Sequence, residues 1–167
     1  ARSRGLGDVY KRQRTNKRFH FLCTDQPFNR LSTAFDSPSL YGRDPDERLD
    51  IFGKVCESGV SISTVDEMDR LFEGFDLCDP NTSVSMTING NYWWHLAAFF
   101  TVAIRQQIRI FESEKGRAPN EKETAEIRAQ TLSTVRGTVQ ADQLKESMGQ
   151  NTLVLNLDTA LKLMGDV

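Results

Sequence analysis

The chain has 167 residues, 38% apolar and 26% charged, a balance that supports one modest hydrophobic core and excludes general disorder. Its formal charge of -2 divides unevenly, because residues 1–18 hold seven Lys/Arg against one Asp while the remainder holds 14 basic and 22 acidic side chains. An acidic body behind a short basic leader is a poor match for a phosphate backbone, so no nucleic-acid partner is expected.

The leader ARSRGLGDVYKRQ, Ala1–Gln13, resembles translated sequencing-adapter read-through. Residues 1–13 are therefore expected to be non-native, and residues 14–167 are taken as the domain proper. The functional alternative for the five basic residues between Lys11 and Arg18 is a nucleic-acid arm or a targeting peptide. His20, in the alternating RFHFL, has no assigned role. Leu31–Phe35 predicts a short strand, followed by a polar loop, Asp36–Arg48, with Pro38, Gly42 and Pro45. Val60–Ser63 predicts a weaker strand. Thr64 with Glu67 forms a capping box, and Val65, Met68, Leu71, Phe72 and Phe75 recur at helical spacing on a face that should be buried.

Ser83–Ile88 is a clearer strand, with Val84, Met86 and Ile88 alternating against Ser83, Ser85 and Thr87 at the period of two that a pleat imposes. Asn89-Gly90 breaks it. A helix is predicted from about Tyr92 to Phe111, interrupted by Gly116 and Pro119, and Asn120 with Glu123 caps another that runs to about Ser133. A third strand is read at Arg136–Asp142, with helical stretches near Leu144 and at Asp158–Met164. Strands separated by helices imply a parallel sheet, in a decorated barrel or a doubly wound fold. Cys23, Cys56 and Cys78 form no CxxC pair, so neither a disulfide framework nor a metal centre is expected and a cytoplasmic setting fits. No apolar run reaches membrane-spanning length, so no membrane partner is expected.

Two strands carry small polar faces: Ser83, Ser85 and Thr87 on one, Thr138 and Gln140 on the other. Barrel interiors are normally packed with Val, Ile and Leu. Hydroxyls and amides facing a dry core would each cost about 1–3 kcal/mol. A hollow, polar lumen that holds a ligand removes the conflict; the alternative is a sheet with one wet side.

The stretches LSTAFDS (Leu31–Ser37), GVSIST (Gly59–Thr64), DEMDRLFEGFDLCDP (Asp66–Pro80), TSVSMTING (Thr82–Gly90), VRGTVQADQLKE (Val135–Glu146) and QNT (Gln150–Thr152) resemble successive blocks of the cobalamin-dependent acyl-CoA mutase family, the barrel of the methylmalonyl-CoA mutase large subunit. The likeness covers nearly everything from Arg18 to Val167. It implies an α/β fold, an incomplete (β/α)8 TIM-type barrel, whose polar lumen threads the pantetheine arm of an acyl-CoA. By position, Ser32, Ser83 and Ser85 correspond to lumen residues near the acyl-CoA, Thr138 and Gln140 to active-site positions near the thioester, and Gln150 to a substrate-side position.

The chemistry implied is a radical carbon-skeleton rearrangement in which adenosylcobalamin performs the difficult step and the protein orients substrate and excludes water. No hydrolytic triad, carboxylate pair, metal cluster or phosphate loop is visible, and none is expected. Methylmalonyl-CoA mutases carry an arginine where Gln150 stands, to clamp a free carboxylate. A neutral amide points instead to an alkyl substrate such as isobutyryl-CoA or n-butyryl-CoA. The wording RLSTAFDS is nearest to fused mutases of the isobutyryl type, which join cobalamin-binding, G-protein chaperone and mutase parts. The alternatives are a methylmalonyl- or ethylmalonyl-CoA mutase, or a non-catalytic acyl-CoA-binding subunit. NYWWH, Asn91–His95, departs from the family pattern and is expected to pack against the barrel wall rather than narrow the lumen. The family's cobalamin motif D-x-H-x-x-G is absent, so no cofactor-binding residue is assigned. The chain alone is expected to be inactive and poorly soluble, and the complete protein to be a homo-oligomer or heterodimer.

Overall fold

The computed structural model describes residues 5–51, 53–150 and 152–166, with the side chains of residues 5–11 and of Gln150 outside the described set. Helices α1 (Gly5–Cys23), α2 (Ser37–Leu40), α3 (Val65–Leu71), α4 (Tyr92–Lys115), α5 (Glu121–Thr134) and α6 (Leu157–Gly165) alternate with strands β1 (Asn29–Ala34), β2 (Thr82–Thr87) and β3 (Gly137–Val139). The strands form one sheet in the order β1-β2-β3, and both pairings are parallel. Parallel neighbours need long crossovers, which α3 supplies between β1 and β2, and α4 with α5 between β2 and β3. The result is an α/β open sheet consistent with part of a (β/α)8 barrel.

The alternation in β2 sets the layers. Val84, Met86 and Ile88 are buried, as is Leu31 of β1, and they share a core with Met68, Leu71, Phe72, Phe99, Val102 and Ala103. Phe72 and Phe99 meet edge to face at 5.9 Å, an arrangement the ring quadrupoles favour. Gly137 faces the same layer: a Cβ there would lie 3.2 Å from the Phe99 ring. Helices therefore cover one face of the sheet. The other face, bearing Ser32, Ser85 and Thr138, is exposed.

Both capping boxes form. Thr64 accepts from the Glu67 amide and Asn120 from that of Glu123, with each glutamate reaching back to the cap backbone. Helix α4 runs one turn beyond Phe111 and stops where Gly116 takes φ 67°, a left-handed conformation glycine adopts without strain. Within NYWWH, Tyr92 and His95 are fully buried, and Trp93 and Trp94 pack on the core from its edge.

Two expectations need correction. Val60–Ser63 is not a strand; only Val60 pairs, in a single parallel bridge to Phe35. The next backbone groups are captured by side chains instead, since Arg12 Nη1 donates to the Ser61 carbonyl (2.7 Å) and the Ile62 amide donates to Ser39 Oγ (2.9 Å). The third strand is shorter than Arg136–Asp142. Gln140 and Ala141 still donate to the Met86 and Ile88 carbonyls (3.1 and 3.0 Å), but Ala141 takes φ 51° and turns the chain away. The helical stretch expected near Leu144 is present, and from Lys145 to Gln150 it continues as a π-helical turn.

Helix α1 runs across the Gln13/Arg14 boundary. Arg12 is buried, with Nη2 2.7 Å from Glu67 Oε1. RFHFL is helical despite its alternation: His20 stacks on Phe75 at 4.2 Å and its Nε2 lies 2.9 Å from the Glu73 carbonyl. No helix among the described residues is long and apolar enough to cross a membrane.

Candidate functional site

The uncovered face of the sheet gathers most of the residues singled out from the sequence. In register, Ser32 of β1 stands beside Ser85 of β2, and Ser85 beside Thr138 of β3. Thr138 Oγ1 donates to Ser85 Oγ at 3.3 Å, so three hydroxyls cross the sheet in one row. Gln140 continues the β3 alternation and is exposed on the same side, one step past the strand end. Ser83 sits one pleat toward the strand starts, paired with Arg30. The side chain of Gln150 lies outside the described residues.

This row has a local cause in the sequence. Small hydroxyl residues at every second position of β2 face away from Val84, Met86 and Ile88, because a strand sends alternate side chains to opposite faces. At the strand starts, Arg30, Ser83 and Arg136 surround a cavity of about 300 Å³ with Phe28, Pro80 and Asn81. A larger cavity, about 650 Å³, lies on the helical side between α3 and α4. There Arg109 is already paired with Asp69 through two contacts of 2.7 and 2.8 Å, which leaves less free charge for a ligand.

At the strand ends a buried polar cluster supports the chain that leaves β3. Asn89 Oδ1 accepts from the Asp142 amide (2.9 Å), and Asn89 Nδ2 donates to Glu146 Oε1 (2.7 Å). Gln143 Nε2 donates to the Asn89 carbonyl. Thr152 Oγ1 donates to Glu146 Oε2, and the Thr152 amide donates to the Glu146 carbonyl at 2.9 Å. The sequence reading passed over this cluster. Asn89 was visible only as a strand breaker, and Glu146 and Thr152 only as letters within the family blocks.

A second polar cluster surrounds Asp36, which is fully buried at the end of β1. Its carboxylate accepts from the Ser39 amide and hydroxyl (3.0 and 2.7 Å) and from the Cys56 amide (2.7 Å). His95 lies close by. Its ring meets Phe35 at 4.6 Å, and burial pushes its pKa down to about 4 against the opposing pull of the Asn91 carbonyl and Asp36. Neutral at ordinary pH, it is a packed histidine rather than a base. Among the described residues no group of three His, Cys, Asp or Glu could hold a metal ion.

The family described as methylmalonyl-CoA mutase matches residues 4–117. Over 155 residues, 93% of this chain, the sequence is 59% identical to the fused isobutyryl-CoA mutase of Geobacillus kaustophilus, and those residues make up 14% of that protein. It is 55% identical to the fused isobutyryl-CoA mutase of Nocardia farcinica over 163 residues, covering 98% of this chain and 15% of the relative. Against the ethylmalonyl-CoA mutase of Methylorubrum extorquens identity falls to 36% over 137 residues, 82% of this chain and 16% of that protein. The chain thus spans about one seventh of the length of the first two relatives, and it belongs to the methylmalonyl-CoA mutase family.

Proposed function

We propose that the chain is part of the barrel of an acyl-CoA mutase that interconverts isobutyryl-CoA and n-butyryl-CoA in the cytoplasm. The observation that carries this is the row Ser32, Ser85, Thr138 on the face opposite the helices. In a barrel the helices lie outside, so that face is the inner one. A row of hydroxyls there suits the amides of a pantetheine arm and leaves no buried donor unpaired. With the Ser85–Thr138 hydrogen bond reversed so that Ser85 donates, Thr138 Oγ1 and the Gln140 amide would donate to the thioester oxygen and fix its orientation. Ser32, Ser83 and Ser85 would line the arm. Gln150 offers no charge for a substrate carboxylate, which favours an alkyl acyl group; the drop from 59% to 36% identity between the isobutyryl and ethylmalonyl relatives supports the same choice.

Adenosylcobalamin does not fit the residues of this chain. A cobalt ligand needs an accessible imidazole nitrogen, whereas His95 is 0% exposed, with Nδ1 bonded to the Asn91 carbonyl at 2.9 Å and Nε2 enclosed in the core. His20 is held between Phe75 and the Glu73 carbonyl. The cofactor would be held by parts of the complete protein beyond these residues, in a cobalamin-binding domain or subunit served by a G-protein chaperone domain. The isolated chain should accordingly be inactive, and the complete protein a homo-oligomer or heterodimer. Residues 1–13 are proposed to be foreign to the mutase on their likeness to adapter read-through, although the family match begins at residue 4 and Arg12 is buried against Glu67.

The test is turnover by the complete parent protein supplied with adenosylcobalamin. Isobutyryl-CoA should be isomerised faster than methylmalonyl-CoA or ethylmalonyl-CoA. Faster turnover of either diacid thioester overturns the substrate assignment, and binding of acyl-CoA without any turnover would make the protein a binding subunit instead.

A further inference from the structure

Between Gln140 and Thr152 the chain leaves the sheet, makes a π-helical turn and passes Gln150, so the two glutamines proposed to meet the substrate lie on one segment. Ala141 in that segment holds a left-handed φ of 51°, which a residue with a side chain keeps only when its surroundings enforce it. Asn89 enforces it from the end of β2. Its Oδ1 accepts from the Asp142 amide at 2.9 Å, and its Nδ2 donates to Glu146 at 2.7 Å. Glu146 then ties the turn to its exit through the Thr152 hydroxyl and amide.

Glu146 is 1% exposed, and its described side-chain partners are Asn89 and Thr152, both uncharged. A buried carboxylate without a cation is costly, and an apolar filler of equal volume would serve packing better. Such a group is suited to fixing one geometry, because the amide and hydroxyl must point at it. π-helical turns also gather at functional sites. We propose that Asn89 and Glu146 are positioning residues, which through Thr152 hold the Gln140–Gln150 segment at the spacing the acyl-CoA thioester requires.

This rests on the acyl-CoA mutase function proposed above, and the test has two arms so that each can fail separately. In the complete parent protein, Thr152→Val keeps the shape and removes the hydroxyl that Glu146 accepts from, Thr152→Ser restores it, and Asn89→Ala releases the other end. Thr152→Val and Asn89→Ala should lower kcat for the acyl-CoA substrate by about 10- to 100-fold, the size expected of a misplacement on the order of 1 Å. KM should change less, adenosylcobalamin affinity should be unchanged, and Thr152→Ser should recover most of kcat. Hydrogen exchange provides the second arm: the Gln140–Glu146 amides should exchange at least about ten-fold faster in Asn89→Ala. Unchanged kcat in both variants, or a Thr152→Ser protein as impaired as Thr152→Val, overturns the proposal. Unchanged exchange overturns it too, even where a parent with no acyl-CoA turnover has already removed the mutase function.

Discussion

Acidification should destabilise the fold through one side chain, His95. It is 0% exposed, its Nδ1 donates to the Asn91 carbonyl at 2.9 Å, and its Nε2 is enclosed without a partner among the described residues. Burial lowers the ring pKa from 6.5 to about 4, with the Asn91 carbonyl and the Asp36 charge opposing only in part. The unfolded chain therefore binds the proton first as pH falls. Stability linked to His95 is intact above about pH 6.5, declines by roughly 1.4 kcal/mol per pH unit, and is exhausted near pH 4, for a total of about 3 kcal/mol. Urea unfolding of the low-micromolar chain, repeated between pH 7 and pH 4, measures it. The comparison is His95→Asn, whose amide retains a donor toward Asn91 but has no proton to gain. Carboxylates common to both proteins cancel in the difference. Parallel stability profiles for the two proteins would refute the reasoning.

Other consequences follow from the layers. Met86, 1% exposed at the centre of β2, should lose about 2–5 kcal/mol on truncation to alanine, seen as a lower urea midpoint; a loss under 1 kcal/mol would mean the core closes over the gap. Gly59→Ala should cost about 1–3 kcal/mol or more, because its Cβ would lie 2.6 Å from the Ala34 carbonyl and force apart the Phe35–Val60 bridge; an unchanged melting temperature would refute that. Removing residues 1–13 deletes Arg12 but leaves Glu67 accepting from the Ser63 amide and hydroxyl and the Thr64 amide (2.7, 3.1 and 3.2 Å). The Ser61 carbonyl loses its buried donor, so the truncated chain should keep its circular dichroism spectrum and lose about 1–3 kcal/mol, whereas collapse of the fold would make the leader part of the domain.

Legibility in the sequence tracked how local each cause was. The capping boxes at Thr64 and Asn120 and the alternation of Ser83–Ile88 are set within a few residues, and the structure follows them. Val60–Ser63 was misread because its pairing groups go to Arg12 and Ser39, residues 49 and 23 positions away. RFHFL alternates like a strand, yet it forms the end of a long helix whose His20 and Phe19 both meet Phe75. At the site, the hydroxyl row was visible as a polar strand face, and its alignment across three strands is a matter of register that no single strand encodes. The Asn89–Glu146–Thr152 cluster was not legible, since its members lie 57 and 6 positions apart and none carries a pattern of its own.

The claim on which the function depends is that the uncovered face of the sheet is the face that meets the acyl-CoA. A photoreactive isobutyryl-CoA analogue, bound to the complete parent protein, irradiated and mapped by peptide mass spectrometry, tests it most directly. The label should fall on Ser32, Ser85, Thr138 or Gln140. Labelling confined to the outer helices α3 and α4, with none on those four residues, would contradict it.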